Sequence, residues 1–261
     1  MSILQPSARE AIIDSNIQNF AVANLRRRPE PVETGGFVAG IDPSTTSVHV
    51  NYATPLPGIE PTSDDVAALV SVFRARGLKP RLEFAPNAAP AVEAALYAAG
   101  FTVEEEHEYL VCVTDSFNPP VDPPLVETPD SDADFLAIDA ALAEAFGGEF
   151  PPSAEGAARL RRSQEMGGAV RFVRAPDGGC AGGAMCSAPA VGTSGLAGVG
   201  TRPAHRGWGI AAAVVANLTE AMFAKGNTAV WLEYGGDGSR RVYERVGYRP
   251  GGRRLYVSIP D

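Results

Sequence analysis

The stretch Val199–Ala213, Val-Gly-Thr-Arg-Pro-Ala-His-Arg-Gly-Trp-Gly-Ile-Ala-Ala-Ala, constrains what can surround it. An apolar run at Leu196–Val199 predicts a strand, and Pro203 breaks it. Ile210, Val214, Leu218 and Met222 then recur at helical spacing, in a helix that closes at Lys225-Gly226. A strand feeding such a helix needs a sheet to lie on, and the crossover makes the next strand parallel to the first. Gly207 and Gly209, at the junction, let the backbone turn and approach an anion without a Cβ penalty. The first amides of the helix point free N–H groups and a positive dipole end at whatever sits there. Arg206 adds a cation. These residues form a phosphate cradle, and a pyrophosphate suits it.

After a Pro-rich stretch at Ser116–Pro129, the pattern predicts α-α-β-β-β-α-β-α-β. One helix is expected through Phe135, Ile138, Leu142 and Phe146, stopping at Gly147-Gly148, and others at about 153–166, 209–225 and 237–246. The strands are expected at 170–175, 181–187, 196–200, 229–234 and 254–259. Short turns between the three strands before the cradle imply antiparallel pairing. The first half predicts a helix at 7–25 with Ile12, Ile13, Ile17 and Phe20 on one stripe, and strands at Phe37–Ile41 and Ser47–Tyr52. A helix capped at Ser63 should bury Val66, Leu69, Val70 and Phe73, followed by a strand at Arg81–Phe84, a helix at Ala88–Ala99 and a strand at Glu105–Thr114.

The halves echo each other. Phe73-Arg-Ala-Arg-Gly77 and Gly100-Phe101 match Phe223-Ala-Lys-Gly226 and Gly247-Tyr248, at glycine intervals of 23 and 21 residues. The shared element order reads as an internal duplication. Where the second copy has Arg206-Gly-Trp-Gly, the first has Pro57–Asp65, with one glycine and the carboxylates Glu60, Asp64 and Asp65. That loop repels phosphate. The expected organisation is a degenerate domain at 1–115, a linker at 116–130 and the cradle-bearing domain at 131–261.

Charge follows the same division. Residues 200–261 hold nine Lys/Arg and five Asp/Glu, a balance of +4 within a net charge of −9, so the remainder carries −13. A basic segment on an acidic chain suits a small anionic ligand and argues against nucleic acid. No apolar run reaches the ~18 residues of a membrane helix, and the first residues lack a signal-peptide pattern, so a cytoplasmic protein is expected. Cys112, Cys180 and Cys186 fit no metal-ligand spacing and read as reduced, buried thiols. With only His49, His107 and His205, no metal is expected.

Arg206-x-x-Gly209-x-Ala211 resembles the acyl-CoA-binding loop of the GCN5-related N-acetyltransferases, and Tyr243-Glu-Arg-Val-Gly247-Tyr248 is similar to that family's Tyr-x-x-x-Gly-Phe segment. The resemblance covers about residues 131–259, and residues 1–115 in outline. It implies two such α/β (α+β) domains, each a mixed, mostly antiparallel twisted sheet flanked by helices, with a splayed parallel strand pair at the CoA site. It implies transfer of an acetyl group from acetyl-CoA to a primary amine of a small molecule or peptide, by a monomer (a pseudo-dimer) or a homodimer. Backbone groups of Val199, Gly200 and Thr201 would hold the pantetheine arm. The amides of Arg206, Gly207, Trp208, Gly209, Ile210 and Ala211 would hold the pyrophosphate. Tyr243 falls where the family has the general acid for the departing sulfur, and Glu233, at the end of a strand, is the candidate base. Glu149 and Phe150 are candidates for the acceptor pocket, and His205 reads as a loop residue near phosphate. Two departures stand out: Gly236 replaces a frequent Asn, and Trp208 is bulkier than the usual loop residue; in the first copy Leu96 takes the tyrosine's place, which agrees with an inactive copy.

Two other readings compete. A non-catalytic CoA-binding module would keep the cradle without a proton donor. Gly207-x-Gly209-x-x-Ala212 also fits a dinucleotide fingerprint with Glu233 as the ribose-binding acid. That acid should lie ~20 residues on, whereas Glu233 is 24 beyond Gly209, and too few βα units follow.

Overall fold

The computed structural model describes residues 8–148 and 151–260. Two compact units are present: Met1–Tyr109 with Gly251–Asp261, and Leu110–Pro250. The units therefore do not follow chain order strictly, since the last strand belongs with the first half.

The first unit opens with α1 (Ala8–Leu25), followed by β1 (Glu30–Thr34), β2 (Phe37–Ile41) and β3 (Tyr52–Pro55). Then come α2 (Ser63–Arg74), β4 (Arg81–Phe84), α3 (Val92–Ala98) and β5 (Thr102–Val113), the last of which continues into the second unit. β1–β2 and β2–β3 pair antiparallel, β3–β4 parallel at Ala53↔Leu82, and β4 antiparallel to the last strand, β10 (Arg249–Ser258). The strand order is β1-β2-β3-β4-β10-β5. Val66, Leu69, Val70 and Phe73 of α2 are buried as their spacing predicts.

Four details of this half differ from the sequence reading. β1 was not foreseen, because its residues Glu-Pro-Val-Glu-Thr read as polar and form an exposed edge. Residues 47–50 are turns rather than strand; Asn51 fixes them by accepting from Asp42 N–H (2.7 Å) and donating to Thr45 C=O (2.6 Å). The cap of α2 is Thr62, not Ser63, with Asp65 completing a reciprocal capping box. On α1, Ile17 and Phe20 are buried but Ile12 is 63% exposed, whereas Asp14 and Gln18 lie inside.

The second unit holds α4 (Asp132–Ala145), α5 (Ala154–Glu165), β6 (Ala169–Arg174), β7 (Cys180–Cys186), β8 (Thr193–Thr201), α6 (Ile210–Ala224), β9 (Ala229–Glu233) and α7 (Asp237–Val246). β6–β7 and β7–β8 are antiparallel and β8–β9 parallel. A mixed, mostly antiparallel sheet with one parallel pair is what the sequence predicted. Both its faces are covered. Along β6, Val170 and Phe172 pack with α4 and α5, and the alternate residues Ala169 and Val173 pack with α6 and α7. The Pro-rich stretch is anchored rather than free: Asn118 N–H donates to Val246 C=O (2.9 Å), and Glu127 bridges Phe172. Cys112, Cys180 and Cys186 are free and buried, and burial raises their thiols. Among the described residues, no helix is long and apolar enough to cross a membrane.

Candidate acyl-CoA site

The site begins where β8 and β9 part. Their parallel register runs Thr193↔Ala229, Ser194↔Val230 and Gly195↔Trp231, while β8 continues to Thr201 and β9 to Glu233. Beyond that ladder, β8 bends. Its register with β7 slips between Met185↔Ala197 and Gly183↔Gly200, placing an extra β8 residue there, and Gly198 takes φ +63°. A bulge of this kind turns the strand and leaves backbone groups unpaired. Sequence reasoning missed it, since the count of residues facing β8 on β7 is not written in β8.

Val199, Gly200 and Thr201 form the end of β8. Gly200 packs closely under α4: a Cβ there would stand 2.8 Å from Leu142 Cδ2 and 3.0 Å from Ala145 Cβ, so both side chains would have to shift. Thr201 Oγ1 and His205 Nδ1 are buried with no hydrogen-bond partner among the described residues. The chain then makes a short turn at Pro203–His205 and enters α6 through Gly207 (φ +84°) and Gly209 (φ +76°). Left-handed backbone of this kind disfavours any side chain with a Cβ.

Gly209 caps α6, and no side-chain hydrogen bond caps that end. The first helical bond runs from Ala213 N–H to Gly209 C=O (3.0 Å), so the amides of Ile210, Ala211 and Ala212 have no acceptor within the helix. The Arg206 amide instead donates to Pro203 C=O (3.3 Å), which starts the free run at Gly207 rather than at Arg206. The Arg206 side chain donates to Thr201 C=O (3.3 Å) and Ala145 C=O (3.2 Å), holding its charge between β8 and the negative end of α4. Trp208 is 61% exposed and meets His205 edge-on, with ring centroids 5.5 Å apart. Both line a cavity of about 340 Å³, with Leu125, Glu127, Arg174 and Ile210 among its other walls.

Because β8 and β9 are parallel, Thr201 and Glu233 lie at the same end of the pair, and α6 and α7 both start there. Glu233 is half-buried at the end of β9. Tyr243 lies in the second turn of α7. It is 6% exposed, burial pushes its phenol up to about 12, and no hydrogen bond contributes to that shift. Its ring tilts against Tyr248, which exchanges a 2.7 Å hydrogen bond with Thr219. Gly236 caps α7 at φ +136° without a side-chain contact. Glu149 and Phe150 lie outside the described residues. Among the described residues, no cluster of three or more His, Cys, Asp or Glu could hold a metal ion.

A dinucleotide fold would continue through successive parallel strands, whereas among the described residues β6–β7 and β7–β8 are antiparallel and β8–β9 is the parallel pair of these four strands. The parted pair, bulge and uncapped helix coincide with a family signature: residues 136–248 match the profile of the Acetyltransferase (GNAT) family. The match falls within the second unit, whose fold is that of the GNAT acetyltransferases. Solved structures agree with the GNAT fold over a longer span. The chain is similar to a GCN5-related N-acetyltransferase from Kribbella flavida at 23% identity and TM-score 0.76, covering 98% of this chain and 96% of that one. A GNAT-family acetyltransferase described as putative, from Novosphingobium aromaticivorans, aligns at 21% identity and TM-score 0.59 over 96% and 99%. A tandem GNAT protein from the clavulanic acid biosynthesis pathway aligns at 12% identity and TM-score 0.61 over 99% and 90%. No curated protein matches the sequence significantly.

Proposed function

We propose that this chain is an N-acetyltransferase that carries an acetyl group from acetyl-CoA to a primary amine, at one site in the second unit. The observation that carries this reading is the junction of β8 and α6: a parallel pair that parts beyond Gly195↔Trp231 and ends at a glycine-lined helix terminus with no side-chain cap. Free N–H groups and a dipole end suit a pyrophosphate. The parted strands suit the amides of a pantetheine arm. A Cβ at Gly207 would have nothing within 4 Å, so the backbone there is open to a ligand. The unpartnered Thr201 Oγ1 adds a hydrogen-bonding atom at the same strand end.

The reaction joins the amine nitrogen to the thioester carbon, and the C–S bond then breaks. The amine must be neutral to attack, although a free alkylammonium has a pKa near ~10; Glu233, directly or through water, is the proposed proton acceptor. Strand-end amides would stabilise the developing oxyanion. The Tyr243 hydroxyl would face the departing sulfur. A phenol held near 12 gives up its proton reluctantly, so it acts best as a hydrogen-bond donor to the thiolate. The acceptor is a small-molecule or peptide amine. The first half is a copy without the cradle, supported by its acidic Pro57–Asp65 loop and by Leu96 in the place of Tyr243.

The test is thiol release from acetyl-CoA against a panel of polyamines, amino acids, aminoglycosides and peptides. Amine-dependent release above the hydrolysis background supports the reading. Tight acetyl-CoA binding with no turnover on any amine would leave the non-catalytic module.

A further inference from the structure

We propose that the first unit fills its own acyl-CoA slot, with the Gln18 carboxamide standing where an amide of the pantetheine arm would lie in the second unit. This comparison rests on the acetyl-CoA reading given above. The two parallel pairs align at one position. Leu82 lies five residues after Gly77 and Trp231 five after Gly226, so Ala53↔Leu82 is the counterpart of Gly195↔Trp231. In both units the next residues are where the strands part.

In the first unit the cause of parting is Pro55, which has no N–H to extend a ladder. Thr54 Oγ1 donates to Glu83 C=O (2.8 Å), taking an acceptor that a continuing strand would have used. Gln18 then enters from α1. Its Nε2 donates to Pro55 C=O (2.6 Å) and to Thr54 Oγ1 (2.6 Å), and its Oε1 accepts from Ala85 N–H (2.9 Å). One carboxamide thus joins the end of β3 to the residue after β4, with its residue 1% exposed. A primary amide that donates to one strand's carbonyl and accepts from the facing strand's amide has the hydrogen-bonding pattern of a ligand amide laid between two parted strands. Further links cross the same mouth: Gly58 N–H donates to Ala88 C=O (2.7 Å), and Asn87 Nδ2 donates to the buried Asp14 carboxylate (2.8 Å).

The helix that follows is closed too. Thr62 Oγ1 accepts from Asp65 N–H (3.2 Å), and the Asp65 carboxylate accepts from Thr62 N–H (2.9 Å). The N-terminus of α2 therefore carries its own hydrogen-bond acceptors and a negative charge, where α6 has no side-chain cap. The slot and the start of the helix after it are both occupied by side chains of the same unit. The first half holds its parted strands in place without a ligand.

The experiment is hydrogen exchange at the Ala85 amide in wild type and Gln18→Ala, with and without propionamide as a free carboxamide, beside calorimetry with acetyl-CoA. Exchange at Ala85 should accelerate by about tenfold in Gln18→Ala, the change expected from losing ~1.4 kcal/mol of local protection. Propionamide should slow it again in the variant and leave wild type unchanged, while propanol should do neither. Wild type should bind one acetyl-CoA per chain. If Gln18→Ala does not fold, Gln18→Leu keeps the volume without the amide and should show the same faster exchange. Unchanged Ala85 exchange, protection by propanol equal to that by propionamide, or two acetyl-CoA sites in wild type would each overturn the proposal. A chain that binds no acetyl-CoA but shows the amide-specific protection would overturn the acetyl-CoA reading instead, and with it only the comparison to pantetheine.

Discussion

Replacing Tyr243 by Phe removes one oxygen from a ring that is 6% exposed and packed in the second unit's core beside Val246 and Tyr248. The ring stays, and no hydrogen bond enters its pKa shift, so stability should change by no more than about 1 kcal/mol. The kinetic effect is larger. Burial pushes the phenol up to about 12, and the leaving thiol ionises near ~8.5. Complete proton transfer from Tyr243 to the thiolate is therefore uphill by roughly 4–5 kcal/mol. A hydrogen bond to the developing charge avoids that step and is worth ~1.5–3 kcal/mol, which is ~10–150-fold in turnover. Steady-state thiol release with the best acceptor measures this, and calorimetry should show acetyl-CoA affinity changed by less than about threefold. The raised pKa also sets a sign. Tyr243 holds its proton more tightly when folded, so its contribution to stability is complete below the ordinary ~10 and is lost as the pH rises toward 12. Its phenol should add no limb to the pH–rate profile below about pH 10. Turnover within about threefold of wild type in a folded Tyr243→Phe protein would refute the donor role and leave only packing.

Two further outcomes follow from other parts of the second unit. Gly209→Glu places a carboxylate at the uncapped end of α6 and a Cβ at φ +76°. It should abolish acetyl-CoA binding by calorimetry while costing only ~1–2 kcal/mol of backbone strain, with circular dichroism unchanged; retained affinity would misplace the cradle. At Asp134, desolvation would raise the carboxyl, but hydrogen bonds from Ser131 and Arg174 overcome it and hold the group down to about 2. Asp134→Asn should cost about 1–2 kcal/mol at neutral pH. Because the folded pKa is depressed, this contribution is complete above ~4 and is lost as the pH falls toward 2. Thermal melts of wild type and variant should therefore converge across that range.

What the sequence determined by itself is local in origin. Glycine pairs and prolines announce where backbone must turn, and a period of 3.6 announces a helix. The glycine turn into α6, α6 itself, the Val66–Phe73 face of α2 and the antiparallel strands before that turn were therefore legible from residues close together in the chain. Tertiary structure decided whatever depends on partners far away. α1 presents both Ile12 and Gln18, and hydropathy alone would bury the first. Gln18 goes inside because Pro55 and Ala85, 37 and 67 residues further on, offer an unpaired carbonyl and amide that only a carboxamide can satisfy together. β10 was predicted as a strand, but nothing in Arg249–Ser258 specifies which edge it joins; it pairs with β4, 171 residues away, at Leu255↔Phe84 through Ser258↔Arg81. The bulge at Gly198 was equally invisible, since a strand pattern counts alternation and cannot count the residues facing it on β7. Hydrogen-bond saturation across long sequence separations made these choices, and periodicity within one segment carries no record of them.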